Sequence, residues 1–312
     1  MKYNIIGMGN IGLRYLQSIL NTDENYEVIC YDISKNFQDR TISFLSNNNL
    51  SNEKIVFSPS LELLEDNTDN DTIVILATTA EKREELILQF AKKTPKLIVS
   101  EKLVCTSRES YLNLIKELNE INYNDVLVNF FPRNQPFFKE LTRDLTNVAG
   151  LKMCVEIPTL GLACNGIHFI DIFLWLSGSY KYKNQNSFHI DTYEQKRPGF
   201  YDFAGLIEIE SQTNSSYLRL RDNNSNSEQC ISISYNDKHY KFYMFDELLV
   251  KSHKKDSYKY KLNHVSQYIC REIISYIEDG KCYLPNIFDA YHSHSVLFDF
   301  IEEYNLGKFK IT

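Results

Sequence analysis

Short apolar runs alternate with helix-length amphipathic segments along the first 125 residues. "YNIIG" (3–7), "YEVICYD" (26–32), "TIVILATT" (72–79) and "KLIVSEK" (96–102) read as strands, and "VLVNFF" (126–131) as a fifth. Between them, "IGLRYLQSIL", "EKREELILQFAKK" and "RESYLNLIKELNEI" carry apolar residues at helical spacing. Strands alternating with helices imply a parallel sheet with crossover helices. Beyond residue 150 the pattern changes. "YDFAGLIEIES", "SYLRLRDN", "EQCISISYN" and "KHYKFYMFD" follow as four strand-like segments, separated by Asn/Ser/Asp-rich breaks.

The chain has 312 residues, which favours two domains over one core. The expected division is 1–125 and 126–312. With 43% hydrophobic, 24% charged and 13% aromatic residues, the composition is that of a folded globular protein. A net charge of −7 offers no footprint for nucleic acid, and no basic helix suggests a membrane surface. No secretory leader precedes the first strand-like run, and no apolar stretch is long enough to span a bilayer. The seven cysteines are scattered and form no C-x-x-C pair, as expected of reduced thiols in a cytoplasmic protein.

The first strand runs into Gly7-x-Gly9-x-x-Gly12, and a helix follows. Alone, that pattern is weak. Here it opens a βαβ unit, and Asp32 ends the second strand twenty residues after Gly12. Gly7 allows a tight turn, Gly9 lets the backbone approach a pyrophosphate, and Gly12 lets helix and strand pack closely. The helix N-terminus, with Asn10 and Ile11, offers N–H groups and positive potential to phosphates. Asp32 would accept hydrogen bonds from ribose hydroxyls and repel a 2′-phosphate. NAD is therefore expected, with NADP as the alternative because Ser34 and Lys35 lie just beyond.

"ACNGIHFIDIF" (163–173) places Cys164, His168 and Asp171 at helical spacing. A zinc site would need further ligands at recognisable spacing, and none is near. His292 and His294 lie two apart on an expected helix and so face different directions. A cysteine nucleophile with its base has no evident oxyanion hole and leaves the glycine turn unexplained.

These motifs together resemble the Gfo/Idh/MocA family of nicotinamide-dependent sugar oxidoreductases. Beyond "GMGNIG" and Asp32, "ILATTAEKREE" resembles the family's turn beside the nicotinamide. "VSEKLVCTS" resembles its Glu-Lys-Pro element, and "RNQPFFKEL" its Arg-x-x-Pro helix. "NGIHFIDIFLWLSG" resembles its Gly-x-His-x-x-Asp helix, and "YLPNIFDAYHSHSVLFDFI" its closing helix. The resemblance implies an α/β chain: an N-terminal Rossmann doubly wound parallel sheet, then a C-terminal α/β domain with an open, mostly antiparallel sheet.

It further implies that Ala77, Thr78, Thr79 and Glu101 border the cofactor. Lys102 and His168 would share the acid–base work, and Arg133, Cys164, Asn165 and Asp171 would meet substrate. Hydride transfer at a hydroxyl-bearing carbon needs a base for the hydroxyl proton and something to stabilise the developing dipole. A lysine close to the oxidised ring should exchange a proton more easily, and histidine titrates near neutrality. The expected reaction is hydride transfer between nicotinamide and a secondary alcohol or ketone of a sugar, sugar acid or nucleotide-activated sugar, for instance in surface-glycan biosynthesis. A homo-oligomer through the C-terminal sheet is expected.

Three departures stand out. Cys164 occupies the family's aspartate position, and a neutral thiol accepts hydrogen bonds poorly. Leu103 replaces the proline of Glu-Lys-Pro. A cis bond before leucine costs roughly 3 kcal/mol, so an ordinary trans Lys102–Leu103 bond is expected. Only about ten residues separate Gly150 from Gly161, which suggests a more open rim than the family's. Two rivals remain: reduction of a C=N or C=C bond on the same fold, and a non-catalytic nucleotide-binding regulator.

Overall fold

The computed structural model describes residues 1–22, 25–145, 149–223, 229–242, 247–252, 257–261 and 269–311. In chain order the elements are β1 (Lys2–Ile6), α1 (Asn10–Thr22), β2 (Glu27–Tyr31), α2 (Phe37–Asn47), β3 (Ile55–Phe57), α3 (Leu61–Asp66), β4 (Thr72–Leu76) and α4 (Arg83–Ala91). Then come β5 (Leu97–Glu101), α5 (Arg108–Glu120), β6 (Val126–Asn129), α6 (Pro136–Asp144), β7 (Lys152–Glu156), α7 (Ile167–Ser177) and β8 (Tyr182–Glu194). The rest are β9 (Tyr201–Ser211), β10 (Tyr217–Asp222), β11 (Cys230–Tyr235), β12 (Lys238–Phe242), β13 (Glu247–Ser252), β14 (Ser257–Lys261), α8 (Ile269–Asp279) and α9 (Ile287–Glu303). The chain forms two compact units, Met1–Asn134 with Asn263–Ala290, and Gln135–Leu262 with Tyr291–Thr312.

The first unit holds a six-stranded parallel sheet in the order β3-β2-β1-β4-β5-β6. The chain leaves β1 towards β2 and returns on its other side at β4. That reversal opens a crevice at the carboxyl ends of β1 and β4, where such sheets bind ligands. β4 and β5 are buried along their whole length, as strands covered on both faces must be. Tyr3, Ile5, Ile73, Ile75, Leu97 and Val99 form the core with Leu13, Leu16 and Ile19 of α1 and Ile269, Cys270 and Ile273 of α8. Ser60 and Ser107 cap α3 and α5 by accepting from Leu63 N and Ser110 N, each at 3.2 Å.

The expected boundary after residue 125 needs correction. β6 extends the parallel ladder (Ile98↔Val126), and α8 buries its apolar face on α1. Both belong with the first sheet because neither could cover its apolar residues alone. β3 escaped the sequence reading: it is three residues long and half exposed.

The second unit holds an eight-stranded sheet, order β14-β13-β12-β11-β7-β10-β9-β8. Its pairs are antiparallel except β7 with β10. The fold class is therefore the one the sequence implied. β9 to β12 match the four strand-like segments, the last of which ends in residues 243–246, outside the described residues. β8 was not legible, because its thirteen residues are mostly polar and exposed. α7 is apolar almost all round and correspondingly buried. It ends at Gly178, whose φ of +62° suits the left-handed stop. No helix among the described residues is long and apolar enough to cross a membrane.

Candidate functional site

In the first unit, Gly7 (φ +93°) ends β1, and its amide donates to the Tyr31 carbonyl at 2.9 Å. A Cβ on Gly7 would lie 2.8 Å from the Ala77 carbonyl and Thr78 N. A Cβ on Gly12 would lie 2.0 Å from the Gly7 carbonyl oxygen. Only glycine lets the β1–α1 turn, the start of α1 and the β4–α4 turn approach so closely. At Gly9 the situation is reversed: an added Cβ meets nothing within 4 Å. This is open space at a helix start, with Asn10 exposed and Ile11 half-buried beside it. It offers the room and the helix-start N–H groups that a dinucleotide pyrophosphate needs.

Asp32 stands at the end of β2. Its Oδ2 accepts from Met8 N at 2.6 Å and its Oδ1 from Ser34 N at 2.8 Å. The carboxylate therefore ties the glycine turn to the β2 end. Arg40 of α2, which the sequence reading missed, reaches the same place. Its Nη2 donates to the Met8 carbonyl at 2.5 Å and lies 3.8 Å from Asp32 Oδ2. Nothing in the sequence spacing marks it, since it arrives through the packing of α2.

Thr78 and Thr79 are half-buried in the turn after β4, beside Gly7. Glu101 closes β5 and is nearly buried. Its Oε1 accepts from the Tyr15 hydroxyl and from Asn129 Nδ2, both at 2.7 Å. Burial, and then the neighbouring Glu101 carboxylate, push the Tyr15 hydroxyl well above its usual pKa. Lys102 follows, half-buried. The Lys102–Leu103 peptide is cis, which corrects the expected trans bond. The expectation rested on the cost of a cis bond before leucine. Arg83 binds the backbone around this peptide: Nη1 donates to the carbonyls of Glu101 and Leu103, on either side of Lys102, and Nη2 to that of Thr78. Arg133 is buried in the same unit, with Nη1 3.4 Å from the Tyr283 carbonyl.

In the second unit, a π-type turn over Leu162–Gly166 leads into α7. Two buried aspartates that the sequence reading missed hold it. Asp202 on β9 accepts Ala163 N at 2.9 Å and Phe203 N at 2.8 Å on Oδ1. On Oδ2 it accepts Cys164 N at 3.1 Å and Gln195 Nε2 at 2.7 Å. Asp222 on β10 accepts Thr159 N and Gly161 N, both at 2.9 Å, and the Tyr193 hydroxyl at 3.0 Å. Burial and these two carboxylates raise the Tyr193 pKa. Gly161 (φ +77°) sits between them, and a Cβ there would lie 2.2 Å from Asp202 Oδ2.

The turn sets Cys164 half-buried and Asn165 exposed, with Asn165 Nδ2 donating to the Leu160 carbonyl at 2.7 Å. His168 and Asp171 are buried on α7, and Asp171 Oδ1 accepts from Ser293 of α9 at 3.1 Å. A carboxylate does stand behind Cys164, but it is engaged by the backbone, so it does not replace the missing side chain at 164. His292 stacks on Tyr180 (4.8 Å), whereas His294 lies against Phe298 (6.0 Å). Among the described residues no three His, Cys, Asp or Glu side chains converge to hold a metal.

No protein-family model matches the sequence, and no curated protein matches it. Solved structures do. UDP-N-acetylglucosamine 3-dehydrogenase GnnA from Acidithiobacillus ferrooxidans matches with a TM-score of 0.71 at 12% identity, over 96% of this chain and 97% of that one. Myo-inositol dehydrogenase from Lactobacillus casei, solved with NAD(H) and myo-inositol, matches with 0.69 at 14%, over 96% and 93%. The super-repressor mutant of Gal80p from Saccharomyces cerevisiae matches with 0.69 at 13%, over 98% and 96%. At such identities these likenesses establish a shared fold, the one found in Gfo/Idh/MocA oxidoreductases.

Proposed function

We propose that this chain is a nicotinamide-dependent oxidoreductase of the Gfo/Idh/MocA kind. Its substrate would be a secondary alcohol or ketone of a sugar, sugar acid or nucleotide-activated sugar. The observation that carries the reading is the glycine turn at the switch between β1 and β4, with open space in front of Gly9 and Asp32 beside it. Those residues fit a dinucleotide: Gly7–Gly12 and the start of α1 would hold the pyrophosphate, and Asp32 the adenosine ribose. Bound there, the nicotinamide supplies a carbon that accepts or donates hydride. Asp32 favours NAD, while Arg40 beside it gives NADP a foothold through its guanidinium.

Lys102 Nζ is assigned the exchange of the substrate hydroxyl proton, and the His168 imidazole the second acid–base role. Asp171, buried and bonded to Ser293, is assigned to steadying α7 around His168. Arg133 and Asn165 give hydrogen bonds to backbone carbonyls, which suits supporting roles. Self-association through the C-terminal sheet belongs to the same proposal.

The test is a titration with NAD and NADP, followed by a panel of free sugars, sugar acids and nucleotide sugars read by reduced-cofactor absorbance. Turnover on one member, reduced at least about a hundredfold by Lys102→Ala and by His168→Ala, is the expected result; general acid–base groups contribute on that scale. Undiminished turnover in both variants would overturn the assignment of roles. A second reading, a non-catalytic nucleotide-binding regulator, is favoured by the thiol at Cys164 and by the likeness to Gal80p. Tight cofactor binding with no turnover on the whole panel would select it.

A further inference from the structure

Arg83 is the largest fully buried side chain among the described residues. A guanidinium is kept in a protein interior only where its charge and donors are engaged. Here the two terminal nitrogens serve one task, while Nε is buried without a partner. Nη1 binds the carbonyls of Glu101 and Leu103, and Nη2 binds that of Thr78. The first two flank Lys102 in the loop after β5. The third belongs to the loop after β4, whose Ala77–Thr78 peptide lies against Gly7. Arg83 therefore fastens together the two loops at the carboxyl ends of adjacent strands, next to the switch point. Burial lowers its pKa to about 10, against the opposing attraction of Glu101, so it stays charged at neutral pH.

We propose that Arg83 is the positioning residue for the nicotinamide end of the bound dinucleotide. By fixing the Thr78 and Glu101–Leu103 backbones relative to each other, it sets the wall against which the nicotinamide riboside docks and the point from which Lys102 projects. This rests on the dinucleotide reading above. In that reading the pyrophosphate and the adenosine ribose fall to other residues, the Gly7–Gly12 turn and Asp32. Arg83 therefore acts on one half of the ligand only. Lysine cannot replace it, because its donors radiate from a single nitrogen and do not form a planar fork spanning two loops.

The experiment compares NADH, followed by its own fluorescence, with ADP-ribose, which lacks the nicotinamide. Both are titrated into the full chain and into Arg83→Lys. The expected result is a wild type that binds NADH more tightly than ADP-ribose. In Arg83→Lys that preference should shrink by about tenfold, with the ADP-ribose Kd changed by less than about twofold. A variant that keeps the preference, or that loses both ligands equally, overturns the proposal and leaves the dinucleotide reading standing. A wild type that binds neither ligand overturns that reading and this proposal with it. Should Arg83→Lys not fold, exchange of the Arg83 side-chain protons is followed by NMR in the wild type. Slowing by NADH but not by ADP-ribose supports the proposal; slowing by both or by neither overturns it.

Discussion

The turn at Gly7–Gly12 and the turn at Gly161–Gly166 are built alike. Each begins at a glycine with positive φ, +93° and +77°, where a Cβ would strike neighbouring atoms. Each leads into a helix, and each is held by carboxylates that accept backbone N–H groups. The difference lies in what is left over. The Asp32 side chain keeps 14% of its surface exposed, beside the open space at Gly9. Asp202 and Asp222 are 1% and 0% exposed, and their oxygens serve the chain itself. The first turn leaves room for a ligand. The second uses the same device to set the start of the helix that carries His168.

The sharpest way to break this contrast is at Asp202. Asp202→Ala strands several buried N–H donors, each costing about 1–3 kcal/mol when unmet, so a loss of about 3 kcal/mol or more is expected. For a chain of this size that lowers the Tm by on the order of 10 °C in thermal unfolding. A change within a degree or two would mean that the turn does not depend on the carboxylate.

Asp32→Ala frees the Met8 and Ser34 amides, but at a carboxylate that solvent reaches, so a smaller stability loss than at Asp202 is expected together with altered selectivity. Removing the charge that opposes a 2′-phosphate is expected to move the NADP-to-NAD affinity ratio about tenfold towards NADP, some 1.4 kcal/mol, in paired titrations. Arg40→Ala should move the ratio the other way by a smaller factor, about threefold. Equal shifts for both cofactors would contradict the placement of either residue.

The smallest effect at neutral pH concerns Tyr15. Its pKa is raised well above 10 in the fold by burial and by Glu101. Its protonated form therefore contributes stability that is fully present below the unfolded value near 10 and is lost as pH rises past it. Denaturant midpoints of the wild type should fall above about pH 10. Tyr15→Phe should fall less steeply over the same window.

The contrast also explains what was legible in the sequence. Gly7, Gly9, Gly12 and Asp32 are close along the chain, and their spacing is fixed by one strand–turn–helix–strand unit, so they could be read directly. Asp202 binds amides 38 and 39 residues away, and Asp222 amides 61 and 63 away. Those pairings depend on the register of β9 and β10, which no local pattern encodes. Arg83 escaped for a related reason. It reads as one more charge in "EKREE", and only the packing of α4 under two loops buries it. The cis bond at Lys102–Leu103 was not legible because no proline follows Lys102, and a cis bond before leucine is costly.

The most direct test of the central claim is Gly9→Val. Because a Cβ at Gly9 meets no atom within 4 Å, the variant should fold and melt like the wild type. The same side chain would fill the space assigned to the pyrophosphate, so NAD affinity should fall at least about tenfold. Undiminished NAD binding by a folded Gly9→Val protein would contradict the account.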